Sequence, residues 1–280
     1  MDEKNKAAII TDFGQYDLMA KPSDEFPATP NTQEAKKIEI PAELLKNVID
    51  ASSFAVSRDE LKPSLTGVLF RFSEQGLTAV ATDGHRLVKY SRNDFSTDGY
   101  SGDIIVPRKF LTFLSTQLSS GNTELLIGEN HLTARVKNDM VLTRVIDERF
   151  PDYESVIPKD NNKILITEKE ALLGAVRRVA IFSNKSSRQV ALELSESSMT
   201  ITTEDPENIT TGKEILDCDY DGEPMTIGYN ALYLKEVLQH QQSEEIKIML
   251  NTPLNAGLFI PLEQRKNNNK TTLLMPIRLN

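Results

Sequence analysis

Three residues that often take part in acid–base chemistry lie within four positions of one another, at Asp83, His85 and Arg86. They follow an alternating strand pattern and surround an Asp-Gly pair. That pair predicts a turn, because glycine accepts a positive φ and an aspartate side chain can bond the backbone ahead of it. Neighbouring side chains in an extended chain point to opposite faces, so closeness in sequence does not create an acid–base pair. Three interpretations stay open: a catalytic site, an ordered structural turn, and a turn that faces a ligand.

The rest of the composition gives little support to an enzyme. The three histidines are far apart, and the sequence has no metal-ligand spacing, glycine-rich phosphate loop or GxSxG motif. The single cysteine, Cys218, excludes an internal disulfide and suits a reducing cytoplasm. No apolar run approaches the roughly 18 residues of a membrane span, and the N-terminus lacks a signal-peptide pattern. We therefore expect a globular cytoplasmic protein with no cofactor and no bound metal.

The net charge of −9 argues against a protein that coats nucleic acid over its whole surface. It does not argue against a local basic face on an otherwise acidic chain.

Two halves of the chain share one order of predicted elements, and 280 residues are enough for two domains with separate cores. In the first half we predict helices that begin near Pro41 and Pro107, and strands over 66–72, 77–82, 86–90, 104–106, 124–127, 131–136 and 140–146, after a strand at 38–40. In the second half we predict helices over 169–182 and around 234–238, and strands over 164–166, 190–194, 199–203, 214–220, 225–227, 246–250, 257–261 and 272–276. The offset between matching elements is about 120 residues, which predicts two copies of one α+β unit. A chance match of two α+β halves is the alternative.

Four segments give the repeat a family resemblance. They are Val80–Leu87, Val106–Lys109, Arg149–Tyr153 continuing to Lys159, and Leu274–Leu279. In this order and spacing they resemble the bacterial β sliding clamps, the processivity subunits of DNA polymerase III.

The resemblance implies an α+β fold of two tandem DNA-clamp domains, with antiparallel sheets outside and two helices per domain on the inner face. The implied domains are 37–158, of the middle type, and 159–280, of the C-terminal type. Residues 1–36 are too polar to form a core and are interpreted as a linker and remnant of a first clamp domain, with Asp24–Pro27 in its exit loop. Family members have three domains, so we expect most of the first to be absent.

The resemblance also implies a non-catalytic function: a clamp that encircles duplex DNA in replication. A basic lumen would touch phosphates without reading bases. The expected DNA-facing residues lie on or beside helices of both repeats: Lys46, Arg58, Lys62, Arg108, Lys109, Lys169, Arg177, Arg178, Lys185 and Arg188. An ordinary solvated helix face is the alternative for each. The family often has aromatic residues in the loop near positions 63 and 64, where this chain has Pro63 and Ser64.

A surface groove for short linear peptides is the second implied site. Its expected residues are Leu65, Thr82, Gly84, His85, Arg86, Leu87, Pro151, Val156, Met275, Pro276, Ile277, Arg278 and Leu279. His85 and the two arginines would supply polar ends to an apolar floor, although Leu65 and Val156 could equally be plain core. Departures from the family pattern at Ser155, Ser187 and Asn280 predict a shallower pocket that keeps the main hydrophobic subsite.

The implied partners are duplex DNA, bound without sequence specificity, and a DNA polymerase, a clamp loader and repair proteins, bound through short motifs. Self-association through domain edges is expected, as monomers or weak open dimers, since a closed ring is doubtful without the first domain. Two other functions stay open. One is a clamp-like binding module that no longer encircles DNA, and the other is a hydrolase or transferase centred on Asp83, His85 and Asp152.

Overall fold

The computed structural model describes residues 6–25, 34–264 and 266–279. Phe26, Pro27 and Asn280, which carried part of the expectations above, lie outside these ranges. The chain forms two compact units, residues 1–35 and 36–280.

The first unit contains a β-hairpin of β1 (Lys6–Thr11) and β2 (Gly14–Met19), which pair antiparallel. The side chains of Ile10, Phe13 and Met19 are exposed on it. Strand β1 contains the apolar run of residues 7–10, whereas polar residues interrupt the apolar ones of β2. A 3-10 turn, Ser23–Glu25, follows.

The second unit contains both repeats. The first repeat consists of β3 (Lys36–Pro41), α1 (Ala42–Ser52), β4 (Gly67–Ser73), β5 (Gly76–Thr82), β6 (Arg86–Arg92), β7 (Gly102–Pro107), α2 (Arg108–Gln117), β8 (Asn122–Ile127), β9 (His131–Val136) and β10 (Asp139–Arg144). The second consists of β11 (Lys163–Glu168), α3 (Lys169–Val179), β12 (Gln189–Ser195), β13 (Ser198–Asp205), β14 (Thr210–Asp217), β15 (Asp219–Tyr220), β16 (Met225–Asn230), α4 (Ala231–Gln239), β17 (Glu245–Leu250), β18 (Gly257–Pro261) and β19 (Asn268–Leu274).

The sheet orders of the two repeats match strand for strand. The first repeat has the orders β10-β9-β8-β3 and β6-β5-β4-β7, and the second has β19-β18-β17-β11, with β15 beyond β11, and β14-β13-β12-β16. Strands β6 and β19 pair antiparallel and fuse two of these sheets into one of nine strands. The predicted fold class, two tandem α+β units, is confirmed, and the boundary at residues 158 and 159 stays a prediction.

Each repeat buries its two helices against its two sheets in a single core. The helices are amphipathic as predicted, since Leu45, Val48 and Ile49 of α1 and Leu172 and Val176 of α3 are buried. None of the helices in the described part of the chain has the length and apolar character needed to span a membrane.

Two predicted elements differ in detail. Helix α3 ends at Val179, and residues 180–182 form a tighter 3-10 turn instead of a continued helix. The strand predicted over 214–220 breaks at Cys218, because β14 pairs with β13 while β15 pairs with β11 of the other sheet. The chain therefore changes sheets at the cysteine.

Polar and aromatic groups from both repeats meet beside the β6–β19 pairing. The rings of Phe54 and His240 stack at 3.9 Å between centroids, and Lys270 donates its ammonium to the carbonyl oxygen of His240. Lys270 is only 2% exposed, and this burial lowers its pKa to about 8. Burial also lowers the pKa of His240.

Candidate peptide groove and nucleic-acid surface

The Asp83-Gly84 turn is built by the predicted aspartate bonds. Asp83 Oδ1 accepts hydrogen bonds from the backbone N–H groups of His85 (2.9 Å) and Arg86 (3.0 Å), and Gly84 has a φ of +90°. The Thr82 hydroxyl closes the other side, donating to the Arg86 carbonyl at 2.7 Å and accepting from the Gly84 N–H at 3.1 Å. The interpretation as an ordered structural turn is confirmed.

Arg86 lies under this turn and is only 6% exposed. Its guanidinium donates to Asp83 Oδ2 at 3.2 Å, to the Phe54 carbonyl oxygen at 2.9 Å and to the Glu236 carboxylate. Its Cζ lies 5.2 Å from the ring centroid of Phe54 and 4.8 Å from that of Tyr233.

Arg86 therefore ties the first repeat to α4 of the second. The expectation that it offers a polar end to a groove is wrong in this structure, because every one of these contacts points inward. Both carboxylate oxygens of Asp83 also accept hydrogen bonds, from the backbone N–H groups of His85 and Arg86 and from the Arg86 guanidinium.

His85, in contrast, is exposed at the surface of the turn. Its ring lies 5.5 Å from that of Tyr233, nearly parallel to it. Its carbonyl oxygen accepts a hydrogen bond from the Met275 N–H at 2.8 Å. The turn of the first repeat thus meets the C-terminal segment of the second, as the expected groove requires.

The C-terminal segment, residues 275–279, is held along β16. The Ile277 N–H donates to the Gly228 carbonyl at 2.9 Å. A Cβ at position 228 would lie 2.6 Å from Leu279 Cδ2 and 2.7 Å from the Ile277 carbonyl oxygen. The segment therefore approaches the strand closely only because residue 228 is glycine.

A cavity of about 340 Å³ opens beside this contact. Its walls are Thr226, Gly228, Pro253, Leu254, Ile277, Arg278 and Leu279. Sequence reasoning missed Pro253 and Leu254. Their only signal in the sequence was a leucine in a polar stretch between two predicted strands. Leu254 adds an apolar side chain to the lining of this cavity.

The other expected groove residues differ in burial. Leu87 and Thr82 are buried, and Leu87 belongs to a cluster with Tyr153 and Leu273 on the outer face of the nine-stranded sheet. Val156 is 56% exposed and Met275 is 42% exposed. The alternative that Val156 is core is therefore wrong.

Leu65 is half-buried, and Pro151 is exposed. The structure thus separates a buried floor, with Leu87, from exposed side chains that can contact a ligand, with Val156 and Met275 among them.

A segment linking the repeats crosses that outer face and is anchored by Tyr153. The Arg71 Nη1 group donates to the Tyr153 hydroxyl at 3.0 Å, while Arg71 also binds both carboxylate oxygens of Asp103. Lys89 pairs with Glu154 at 2.5 Å. These contacts fix the stretch that carries Pro151 and Val156, and sequence reasoning did not identify Arg71 or Lys89.

The expected DNA-facing cations fall into two groups. Some bind their own protein: Lys46 donates to the Ser115 carbonyl at 3.0 Å, Lys169 to the Gln241 carbonyl at 3.3 Å, and Arg178 to both oxygens of Glu214 at 2.7 Å. The hydrogen bonds to Glu214 raise the pKa of Arg178. The remainder form no ion pair within the described residues: Arg58, Lys62, Arg108, Lys109, Arg177, Lys185 and Arg188.

Family models cover almost all of the second unit. Residues 39–152 match the central domain of the DNA polymerase III beta subunit, and residues 154–278 match its C-terminal domain. The chain belongs to this family.

Similar proteins and similar solved structures belong to the same family. The Beta sliding clamp of Escherichia coli (strain K12) is 33% identical over 279 residues, which cover 99% of this chain and 75% of the relative. The Beta sliding clamp of Proteus mirabilis is 33% identical over 95% of this chain and 72% of its own length. The sliding clamp of Bacillus subtilis superposes with a TM-score of 0.90 at 27% identity, covering 100% of this chain and 74% of that one. A clamp from Bartonella birtlesii bound to griselimycin also has a TM-score of 0.90 at 27% identity, covering 99% of this chain and 75% of that clamp.

Proposed function

We propose that this clamp encircles duplex DNA, which cations on or beside its helices contact, and that it docks partner proteins in a groove formed where the Asp83-Gly84 turn meets residues 275–279. The chain is a DNA sliding clamp whose relatives are non-catalytic subunits, so DNA and a DNA polymerase are its partners at the level of the family. We also infer that it acts in the cytoplasm.

The position of the unpaired cations supports the proposed DNA-facing surface. The chain has a net charge of −9, yet Arg177 lies on the exposed face of α3 and Lys109 on the exposed face of α2. Cations without carboxylate partners can replace the counterions of DNA phosphates, whereas paired cations cannot do so without losing a partner. We therefore assign the phosphate contacts chiefly to the unpaired group.

Neutralising four of these cations should weaken duplex binding without regard to sequence. For the variant with Arg58, Lys62, Arg177 and Lys185 each replaced by Gln, we expect about a tenfold loss of affinity for a 30-base-pair duplex and a shallower dependence on salt, since each lost phosphate contact lowers that slope by about one. Fluorescence anisotropy across a salt series measures both quantities.

The matched control replaces four exposed cations outside the expected DNA-facing set by Gln: Lys137, Arg149, Lys159 and Lys213. It has the same net charge as the first variant. An equal loss of affinity in both variants would show that binding follows total charge, and would reject the proposed DNA-facing surface.

The groove is supported by apolar side chains that remain exposed around fixed backbone. Met275, Val156 and Leu279 are each more than a third exposed, while the turn and the C-terminal segment beneath them are held by hydrogen bonds. Exposed apolar groups on rigid backbone can accept the aliphatic or aromatic anchors of a short peptide. Polymerase, clamp-loader and repair proteins are the partners that we assign to this groove.

Sheet edges are the surfaces that we assign to self-association. In their sheets β10 and β14 each have a strand neighbour on one side only, among the described residues. They correspond by repeat to β19 and β6, which do pair with each other. Met140 of β10 and Ile215 of β14 are exposed there, so the two edges of different copies can pair weakly.

A charge on this edge should abolish the association. For Ile215→Lys we expect the weak dimers to become monomers in sedimentation velocity at micromolar concentration, because edge lysines oppose strand pairing. Ile181→Lys, at an exposed position after α3, should leave the association unchanged. A tight closed assembly that tolerates Ile215→Lys would reject these edges.

A further inference from the structure

A concave patch on α2 combines cations, hydroxyl groups and one exposed phenyl ring. It is shallow and open to solvent, borders a volume of about 700 Å³, and is lined by Ser57, Arg58, Thr66, Arg108, Lys109, Thr112, Phe113 and Thr116. Three of these residues are cationic and none is acidic. The patch is therefore suited to an anionic ligand.

Phe113 is the unusual member of this set. Helix α2 buries Phe110, Leu111 and Leu114, whereas Phe113 projects from the opposite face and is 52% exposed. In the part of the chain that the structure describes, its ring takes part in no aromatic pair. Packing of the core thus gives no reason for a phenyl ring among cations and hydroxyls.

The three cations are free to bind a ligand. Arg58, Arg108 and Lys109 form no ion pair within the described ranges. The backbone N–H of Arg108 donates to the Thr66 carbonyl at 3.4 Å, which fixes the start of α2 against the loop before β4. The guanidinium groups and the ammonium group thus lie around Phe113 on a scaffold formed by two chain segments.

We propose that this patch binds an unpaired nucleotide of single-stranded DNA, with a base stacked on Phe113 and the flanking phosphates on Arg58, Arg108 and Lys109. This deepens, and rests on, the proposed DNA-facing surface. In a duplex the base faces are covered by neighbouring base pairs, so the cations can contact its phosphates while the ring gains nothing. A single strand presents its base faces, and an aromatic side chain beside cations is the usual platform for them.

The test compares three fluorescent probes on the full chain: a 20-nucleotide oligo-dT, a 20-base-pair duplex, and a 20-unit abasic strand that keeps the phosphates but lacks bases. For Phe113→Ala we expect about a tenfold loss of affinity for oligo-dT, as for removal of one stacking platform. The duplex and the abasic strand should bind within twofold of the wild type. Phe113→Trp should keep or strengthen oligo-dT binding, and Lys109→Gln should weaken binding of all three probes.

Each outcome decides the proposal. Unchanged oligo-dT affinity in Phe113→Ala, or an equal loss on the abasic strand, would overturn base stacking while leaving the duplex surface intact. If the wild-type chain did not bind the duplex at all, the proposed DNA-facing surface would be rejected instead. Competition of oligo-dT by a poly-glutamate peptide at equal charge, with the same dependence on Phe113, would assign the patch to an acidic protein segment and overturn the proposal.

Discussion

Replacing Arg86 by Ala should lower the free energy of unfolding by about 3 kcal/mol, because removal of one member of a buried ion pair leaves its partners without compensation. Asp83 and the Phe54 carbonyl would each lose a donor, and the rings of Phe54 and Tyr233 would lose the guanidinium between them. Urea denaturation followed by far-ultraviolet circular dichroism measures the change.

Arg177→Ala is the matched control for this prediction. Arg177 is exposed and unpaired within the described residues, so its loss should change stability by less than about 0.5 kcal/mol. Arg86→Lys should remain clearly destabilised, since an ammonium cannot replace the flat guanidinium that reaches several acceptors and two rings. A loss below about 1 kcal/mol in Arg86→Ala would contradict the role of Arg86 in joining the repeats.

Replacing Gly228 by Val should weaken binding of a partner peptide at least about thirtyfold while leaving the fold intact. The new side chain would occupy the space of Leu279 and of the Ile277 carbonyl oxygen, so the C-terminal segment must leave β16. Two apolar anchors of the groove would then be displaced together, and a well-placed anchor contributes about 2 kcal/mol or more. Anisotropy of a labelled peptide carrying a polymerase clamp-binding motif measures the affinity.

Two companion variants separate the cause of such a loss. Gly128→Ala, where an added Cβ would make only an ordinary 3.5 Å contact with the His131 carbonyl, should not change peptide affinity. Met275→Ala should weaken the peptide several-fold, because it removes one exposed apolar side chain without moving the segment. Wild-type affinity in Gly228→Val would show that residues 277–279 do not belong to the groove.

The sequence by itself determined the features that depend on residues close together in the chain. The Asp83-Gly84 turn follows from one aspartate and one glycine, and the amphipathic helices follow from the spacing of residues such as Leu45 and Leu172. The doubled order of elements and the family of the chain likewise came from local segments, each short enough to be read without knowledge of the fold.

Only the tertiary structure decided the roles that depend on distant partners. Arg86 looks like a surface residue of a turn, and it is buried because Glu236, 150 positions later, and Phe54 lie around it. Gly228 allows close approach of Ile277, and Cys218 marks a change of sheet, and neither fact has a local signal. These contacts form between elements far apart in the chain, so they cannot be predicted from residue types and spacing within one segment.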